Sequence, residues 1–302
     1  MKAIIVYFSP SGGTKRIAQQ IEETHKNIFE KIESVNLTHN ESYWNSQQFR
    51  NNLFKIINEY DVLFVGSPVY AHHLHYNICD FIKQLEPMDK IQFAIPFVTY
   101  GGINSGEGLH DAEVLLRKAG RKVLAGIKVN SEHSLSKGFN TDFNRGLPAE
   151  TALPMLTDLS EKLSILLHNH NISISDSNFL NYQKPAVRLR TKLLIGEKFW
   201  HKHMYPKQTF DHSKCNLCGL CVKKCPLLRI ELQDGKPFIK ADVKDCIHCG
   251  TCVFYCKTGG SYFDTDMVKW EKLFLKATLG KGPLVSNEEP KTKVYYARTN
   301  KL

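Results

Sequence analysis

The 302-residue sequence has no apolar run that approaches the roughly 20 residues of a membrane-spanning helix. Its first residues, MKAIIVYFSPSGG, lack the longer apolar region and the small-residue cleavage site of a secretory signal, so we expect a cytoplasmic protein. Neither GxxxxGK[ST] nor GxGxxG occurs, which excludes the usual loops for nucleotide hydrolysis and dinucleotide binding.

The first half also lacks a charge excess and has few cysteines. Residues 1–170 hold 17 basic and 18 acidic side chains, whereas residues 171–302 hold 23 and 12, and eight of the nine cysteines lie between Cys215 and Cys256. Because the chain exceeds a usual domain of roughly 100–150 residues, we expect two units, with the divide in the second half. The pI of about 9.0 would suit nucleic acid or an anionic surface, unless bound cofactors are themselves anionic.

The first half alternates β-rich runs with helical periodicity. The runs lie at 3–8, 29–37, 61–65, 91–98 and 121–129, and five stretches with apolar residues at helical spacing lie between and after them. Alternation of this kind predicts an α/β fold, a doubly wound five-stranded parallel sheet covered on both faces. Ligands bind such sheets at the carboxyl ends of the strands, so the loops after the first, third and fourth strands are the candidate sites.

These three loops carry the residues that we expect to bind a ligand. The first joins a strand to a helix with hydroxyls and glycines, which is typical of a phosphate site; the other two place an aromatic ring beside flexible backbone, as a flat ring system requires. The loop residues are Ser9, Ser11, Gly12, Gly13 and Thr14; Ser67, Pro68, Val69 and Tyr70; and Thr99, Tyr100, Gly101 and Gly102.

Residues 1–170 resemble a flavodoxin domain, because the Ser9-x-Ser11-Gly12-x-Thr14 loop matches that family's phosphate-binding signature. The resemblance implies FMN, with its phosphate in the first loop and its isoalloxazine ring between the other two. Many flavodoxins have Trp where this chain has Tyr70. The alternative is that the serines and glycines make only a tight turn and the tyrosines only pack.

The cysteine block is an internal repeat. In each half, three cysteines spaced two residues apart are followed by a fourth after three more, and the two halves are offset by 31 residues throughout. Three close cysteines wrap one corner of a cluster, while the fourth reaches the other cluster. We therefore expect two [4Fe–4S] clusters, the first held by Cys215, Cys218, Cys221 and Cys256, and the second by Cys246, Cys249, Cys252 and Cys225.

Residues 208–264 resemble the bacterial two-cluster ferredoxins, which have a small α+β fold. Zinc is the competing metal, although zinc motifs usually pair two CxxC knuckles across a long spacer. Lys257 stands where the family usually has proline, and we expect its charge to raise the potential of the first cluster.

Together the two halves resemble the fused flavodoxin–ferredoxin proteins of anaerobes, with a basic, partly helical linker at 171–207 and a basic tail at 265–302. The resemblance implies low-potential electron transfer between FMN, two clusters and external redox partners, which the basic flanks predict to be acidic. Tethering would give an effective concentration on the order of millimolar if the linker permits contact. Two alternatives remain: an FMN-dependent reductase of a quinone, a metal ion or dioxygen, and a basic redox sensor that binds nucleic acid or a membrane.

Other chemically active side chains lie near the second loop. His72, His73 and His75 either deliver protons to a reduced flavin or belong to a wet loop that enters a helix, and we favour the wet loop. We expect Cys79 to be a buried structural thiol. The polar, glycine-rich stretch 132–147 is predicted to be a surface loop rather than a cover for the flavin.

Overall fold

The computed structural model describes residues 1–88, 90–102, 104–148, 150–168, 172–176, 178–185, 188–189, 203–240, 246–279 and 292–299. The helices are α1 (Gly13–His25), α2 (Glu41–Asn45), α3 (Gln47–Ile57), α4 (Tyr76–Lys83), α5 (Gly108–Lys118), α6 (Leu153–Leu167), α7 (Leu220–Lys224), α8 (Thr251–Phe254) and α9 (Met267–Leu279). The strands are β1 (Lys2–Tyr7), β2 (Lys31–Asn36), β3 (Val62–Tyr70), β4 (His73–Leu74), β5 (Phe93–Tyr100), β6 (Lys122–Val123), β7 (Ala125–Asn130), β8 (Gln208–Phe210), β9 (Ile230–Gln233), β10 (Lys236–Ile239), β11 (Ser261–Phe263) and β12 (Lys293–Tyr296).

A parallel sheet with the order β7-β5-β3-β1-β2 forms the centre of the first unit. The short β6 runs along the same edge of β5 as β7, and β4 pairs antiparallel with β3. In chain order the five principal strands lie 2-1-3-4-5, which is the flavodoxin-like doubly wound arrangement. The predicted fold class is therefore confirmed, and each of the five predicted strands is present.

Both faces of this sheet are covered because its central strands are apolar along almost their whole length. Every residue of β5 is buried, and β1 is buried after its first residue. One face packs against α1 and α6 through residues such as Ile17 and Leu159, and the other packs against α3, α4 and α5 through Leu53, Ile78 and Leu109. The five helical patterns in the sequence correspond to these five helices.

The second unit repeats its backbone as well as its cysteines. Each cysteine run enters a short helix, α7 or α8, and the unit is completed by the antiparallel pairs β8–β11 and β9–β10. Three pairs of left-handed residues are 31 apart: Leu217 with His248, Gly219 with Gly250, and Leu228 with Gly259. The duplication therefore extends to local conformation, and the unit has the predicted small α+β character.

The segment 265–302, which we expected to be a basic tail, contains regular structure, and its residues 280–291 and 300–302 lie outside the described part of the chain. It contains α9, and β12 adds to the outer edge of the large sheet antiparallel to β7, with Val294 opposite Ile127. Tyr295 of β12 stacks on Tyr182 with ring centroids 4.5 Å apart. Most of the helix predicted within 171–207 lies outside the described residues. Among the described helices, none has the length and apolar character needed to span a bilayer.

Candidate redox-cofactor site

The loop between β1 and α1 presents backbone donors toward one point. Within the described part of the chain, the N–H groups of residues 11–14 donate no hydrogen bond, and they lie at the N-terminus of the 13-residue helix α1. Gly12 has φ of 95°, a left-handed conformation that reverses the chain just before the helix. Unpaired N–H groups at a helix N-terminus are the donors that a phosphate requires, so this loop fits the phosphate of FMN.

The hydroxyls of this loop have two different roles. Ser9 Oγ accepts a hydrogen bond from Lys15 N at 2.9 Å, and Thr14 Oγ1 lies 2.8 Å from Thr99 Oγ1 of the fourth principal strand. These contacts fix the turn and join the first and third candidate loops. Ser11 instead lines a cavity of about 40 Å³ that continues toward the other two loops.

Two adjoining cavities lie where we expected the flavin ring. Their volumes are about 40 and 70 Å³, and they share Val69, Tyr100, Gly101, His133 and Tyr205 as lining residues. Pro68, Tyr70 and Thr99 line the smaller one. Each cavity is the size of one to a few water molecules, so a flavin ring enters only if the side chains between the cavities turn aside.

Two of the expected ring residues lie elsewhere. Ser67 is fully buried, where its hydroxyl donates to the Pro68 carbonyl at 2.8 Å and accepts from His75 N at 3.1 Å. Gly102 packs against Asn144 instead of lining either cavity. Ser67 therefore shapes the turn after the third principal strand, and Gly102 permits the close approach of a neighbouring loop.

That neighbouring loop is the stretch 131–148, and it covers the candidate site. Ser131 lies against Gly13, His133 lies against Gly101, and Arg16 Nη1 donates to the carbonyls of Gly146 and Pro148 at 2.9 and 2.8 Å. The middle of 132–147 is exposed, as expected for a surface loop, but the start and end of the loop cover the site, which we did not expect. Its polar, glycine-rich sequence gave no period from which these contacts could be inferred.

His133 is the central side chain of this cover. It lies against the Phe274 ring of α9 at 4.6 Å, and its Nδ1 accepts a hydrogen bond from Leu135 N at 3.2 Å. Burial lowers the pKa of His133 to about 4, so the ring is neutral near pH 7. The accepting Nδ1 assigns the remaining proton to Nε2.

The three histidines after β3 do not form a wet loop. His75 is buried and its side chain caps α4, while His73 Nδ1 lies 3.0 Å from Asp111 Oδ2. His72 lines the larger of the two cavities, and burial lowers its pKa to about 4. A histidine with that pKa is neutral near pH 7 and has no proton to donate as imidazolium, which gives no support to the reductase alternative. Cys79 is half-buried, with Sγ 3.5 Å from the Leu74 carbonyl.

One of the two expected cysteine groups lines a single cavity, and contacts connect members of the other. One cavity is lined by Cys225 together with Cys246, Cys249 and Cys252, which is the crossed set in which the fourth cysteine of the first run joins the second run. Cys215 and Cys218 act electrostatically on Cys221. Gly260 packs against the backbone of Cys215, and its backbone N–H interacts with Cys256. The donor sets therefore fit two clusters that each take four thiolates.

The two groups differ in burial. Cys225, Cys249 and Cys252 are buried, whereas Cys218 is exposed and Cys215 and Cys256 are only partly covered. Burial raises the pKa of Cys249 to about 12, so its thiol needs a cation to become a thiolate. Among the described residues, no set of three or more His, Cys, Asp or Glu side chains is arranged to hold a single metal ion.

The buried cysteine group adjoins the candidate flavin cavities. Tyr205, which lines both cavities, stacks on His248 with ring centroids 5.3 Å apart and an angle of 12°. His248 lies between two cysteines of the second run, and its N–H donates to Cys246 Sγ at 3.3 Å. Thr251 Oγ1, two residues after Cys249, donates to the carbonyl of Pro10 in the first loop at 3.5 Å.

Comparison with known protein families assigns the cysteine segment. Residues 214–260 match the family model of the 4Fe-4S dicluster domain. This segment is a 4Fe-4S dicluster domain. The match includes all eight cysteines of the repeat, and the 4Fe-4S dicluster domain holds two clusters. The zinc alternative receives no support, and no curated protein matches the chain.

Solved structures similar to the chain include an oxidoreductase and two flavodoxins. Rubredoxin oxygen:oxidoreductase from Desulfovibrio gigas is 19% identical with a TM-score of 0.40, covering 55% of this chain and 36% of its own. A flavodoxin from the domain Archaea is 19% identical with a TM-score of 0.38, covering 54% and 99%, and flavodoxin 1 from Bacillus cereus is 17% identical with a TM-score of 0.39, covering 56% and 99%. The fold assignment itself rests on the strand order.

Sequence reasoning missed three residues of the site. His133 lies in a stretch without periodicity, Tyr205 lies in the predicted linker, and Arg229 lies just after the first cysteine run. An aromatic residue close to the start of an iron–sulfur segment is a weak signal for Tyr205. Nothing in the sequence indicated His133 or Arg229, because their roles depend on contacts between distant segments.

Proposed function

We propose that this chain transfers electrons between an FMN bound at the three loops and its two [4Fe–4S] clusters, and onward to an external redox protein. The observation that carries the proposal is the contact of the buried cysteine group with the flavin loops through Tyr205, His248 and Thr251. When bound, FMN exchanges one or two electrons, whereas each cluster exchanges one.

Residues of all three loops would bind and orient the cofactor. The free N–H groups of residues 11–14 suit its phosphate, and the rings of Tyr70 and Tyr100 suit its flat ring system. The Tyr70 hydroxyl is buried near Ser134 without a hydrogen bond of standard geometry, so a polar edge of a ligand would satisfy it. Tyr205 and His133 would turn aside to admit the ring.

The first cluster would face the partner. Cys218 and Leu217 are exposed, and the half-exposed Tyr255 has the Nζ atoms of Lys224 and Lys137 at 4.7 and 5.8 Å from its ring centroid. Two cations beside exposed apolar groups favour an acidic redox protein, since opposite charges steer such encounters. The second cluster, buried against the flavin loops, would connect the two ends.

Absorption spectroscopy and metal analysis of anaerobically purified protein test this proposal. We expect flavin bands, about one FMN and about eight iron atoms per chain. Cys249→Ala should lose iron and retain FMN, whereas Cys79→Ala, outside the repeat, should retain both. Iron without flavin, or zinc without iron, would overturn the proposal.

A further inference from the structure

A cation, Arg229, lies in the cavity of the second cysteine group, and two of its guanidinium nitrogens are unpaired among the described residues. Arg229 lines this cavity together with Cys225, Cys246, Cys249 and Cys252. Its Nε and Nη1 atoms are buried and make no hydrogen bond among the described residues. Buried guanidinium nitrogens without acceptors are costly, so a natural structure is expected to supply an anion beside them.

The thiols alone do not supply that anion. Arg229 lies close enough to Cys246 to act on it electrostatically, without a hydrogen bond of standard geometry. The other lining residues are mostly apolar, among them Leu227, Ile230 and Ile247. A cation in such surroundings acts strongly on any charge placed next to it, because little water screens it.

We propose that Arg229 faces the second cluster and raises its potential above that of the first. With four thiolates, a [4Fe–4S] centre changes from a net charge of about −2 to about −3 when it gains an electron, so a neighbouring cation stabilises the reduced form. Burial alone would act in the opposite direction, since low dielectric disfavours the more negative state. The buried cluster would therefore be the harder one to reduce if Arg229 were absent.

Among the described residues, the first cysteine group has no cation with comparably buried, unpaired nitrogens. Lys257 follows its ligand Cys256, but Lys257 is exposed, and water and salt screen its charge. Position 260, which is 31 residues after Arg229, is Gly260. The repeat is therefore asymmetric at this position, which would give two otherwise similar clusters different potentials.

Redox titration followed by NMR of the shifted cysteine β-protons tests the proposal, because these signals assign each reduction step to its own cluster. In the wild-type holoprotein the second cluster is expected to be reduced first. In Arg229→Gln, its ratio of reduced to oxidised form at a fixed potential should fall at least tenfold, about 59 mV for one electron, with a smaller change at the first cluster. In Arg229→Lys, which keeps the charge, the ratio of reduced to oxidised second cluster should lie between the values of the wild type and Arg229→Gln.

Lys257→Gln is the matched control, and its smaller shift should affect the first cluster. Reduction of the first cluster before the second in the wild type would overturn the proposal, and this result needs no variant to fold. Equal shifts of both clusters in Arg229→Gln would also overturn it. The inference rests on the clusters of the proposed function and not on its flavin, so failure to bind FMN would refute that function and leave this test intact.

Discussion

Arg16 is the side chain that closes the loop 131–148 over the phosphate loop, and its replacement should weaken FMN binding. Its Nη1 donates to the carbonyls of Gly146 and Pro148, one bond being solvent-exposed and the other partly buried. Hydrogen bonds from charged donors contribute about 1.5 kcal/mol or more, and partial exposure reduces this to about 1 kcal/mol each. Arg16→Gln should therefore weaken the closed loop by about 2 kcal/mol.

This loss of loop stability limits the expected change in FMN affinity. A ligand that needs the closed loop loses affinity at most in proportion to the lost population of the closed state, so the Kd for FMN should rise up to about thirtyfold. The assay is quenching of flavin fluorescence as FMN is added to deflavinated protein. Lys15→Gln is the control, because it removes the same charge one residue away without removing a contact to the loop.

Comparison of these two variants decides the question. If charge near the phosphate is what matters, the two Kd values should be equal; if the loop closes the site, only Arg16→Gln should show the large rise. Equal values, or a Kd unchanged from the wild type in Arg16→Gln, would refute the role of the loop as a cover.

Three other perturbations test separate parts of the structure. Gly250→Ala places a Cβ 2.5 Å from an aromatic ring in the second cluster loop, whereas Gly259→Ala, at an equivalent φ, places one in open space. Gly250→Ala should therefore lower the free energy of unfolding by about 1–3 kcal/mol more than Gly259→Ala. It should also release iron faster to a chelator, and equal rates of iron release from the two variants would contradict this. Burial raises the pKa of Glu113, so its contribution to stability is complete at low pH and is lost as pH rises through the folded pKa. The difference in Tm between Glu113→Gln and the wild type should therefore shift in favour of Glu113→Gln as the pH rises from about 4 to 7, and a shift in favour of the wild type would refute this. Lys224→Gln should weaken the ionic-strength dependence of electron transfer to an acidic acceptor, whereas Lys26→Gln at the far end of α1 should not; identical profiles would argue for another docking surface.

The features that the sequence predicts well are local or periodic. The central strands β1, β3 and β5 read as continuous apolar runs because both faces of the sheet are buried, and α6 reads as a helix because Leu156, Leu159, Leu163 and Leu166 face one side. The cysteine repeat is predictable because cluster geometry demands fixed spacing. The order of the strands then places the three candidate loops at the carboxyl edge of the sheet.

The features that sequence reasoning missed depend on distant segments. The edge strand β12 has only four residues and follows a polar stretch, so its pairing with β7 could not be inferred from the sequence. His133 is partly buried because α9, more than 130 residues later, packs against it. Ser67 lies in a loop that is typical of ligand binding, yet its hydroxyl makes hydrogen bonds only within its own turn. No single-sequence pattern contains such pairings.

The return of the chain to the first unit changes how the two units are connected. Before the dicluster domain, Leu180 packs tightly against Gly126 of β7; after it, β12 pairs with that same strand. The stacked rings of Tyr182 and Tyr295 join these two segments, and Lys128 Nζ lies 4.8 Å from the first of them. The dicluster domain is thus anchored at both ends on one edge of the sheet, and α9 also fixes it through Glu271, which accepts hydrogen bonds from Asn140 N and Thr141 N.

A flexible tether would make electron transfer between the two units depend on an effective concentration, whereas two anchors and a packed interface make it depend on a fixed distance. Lengthening the chain at an exposed loop within the dicluster domain should therefore leave the internal rate unchanged, while Glu271→Gln, which loosens the interface, should lower it.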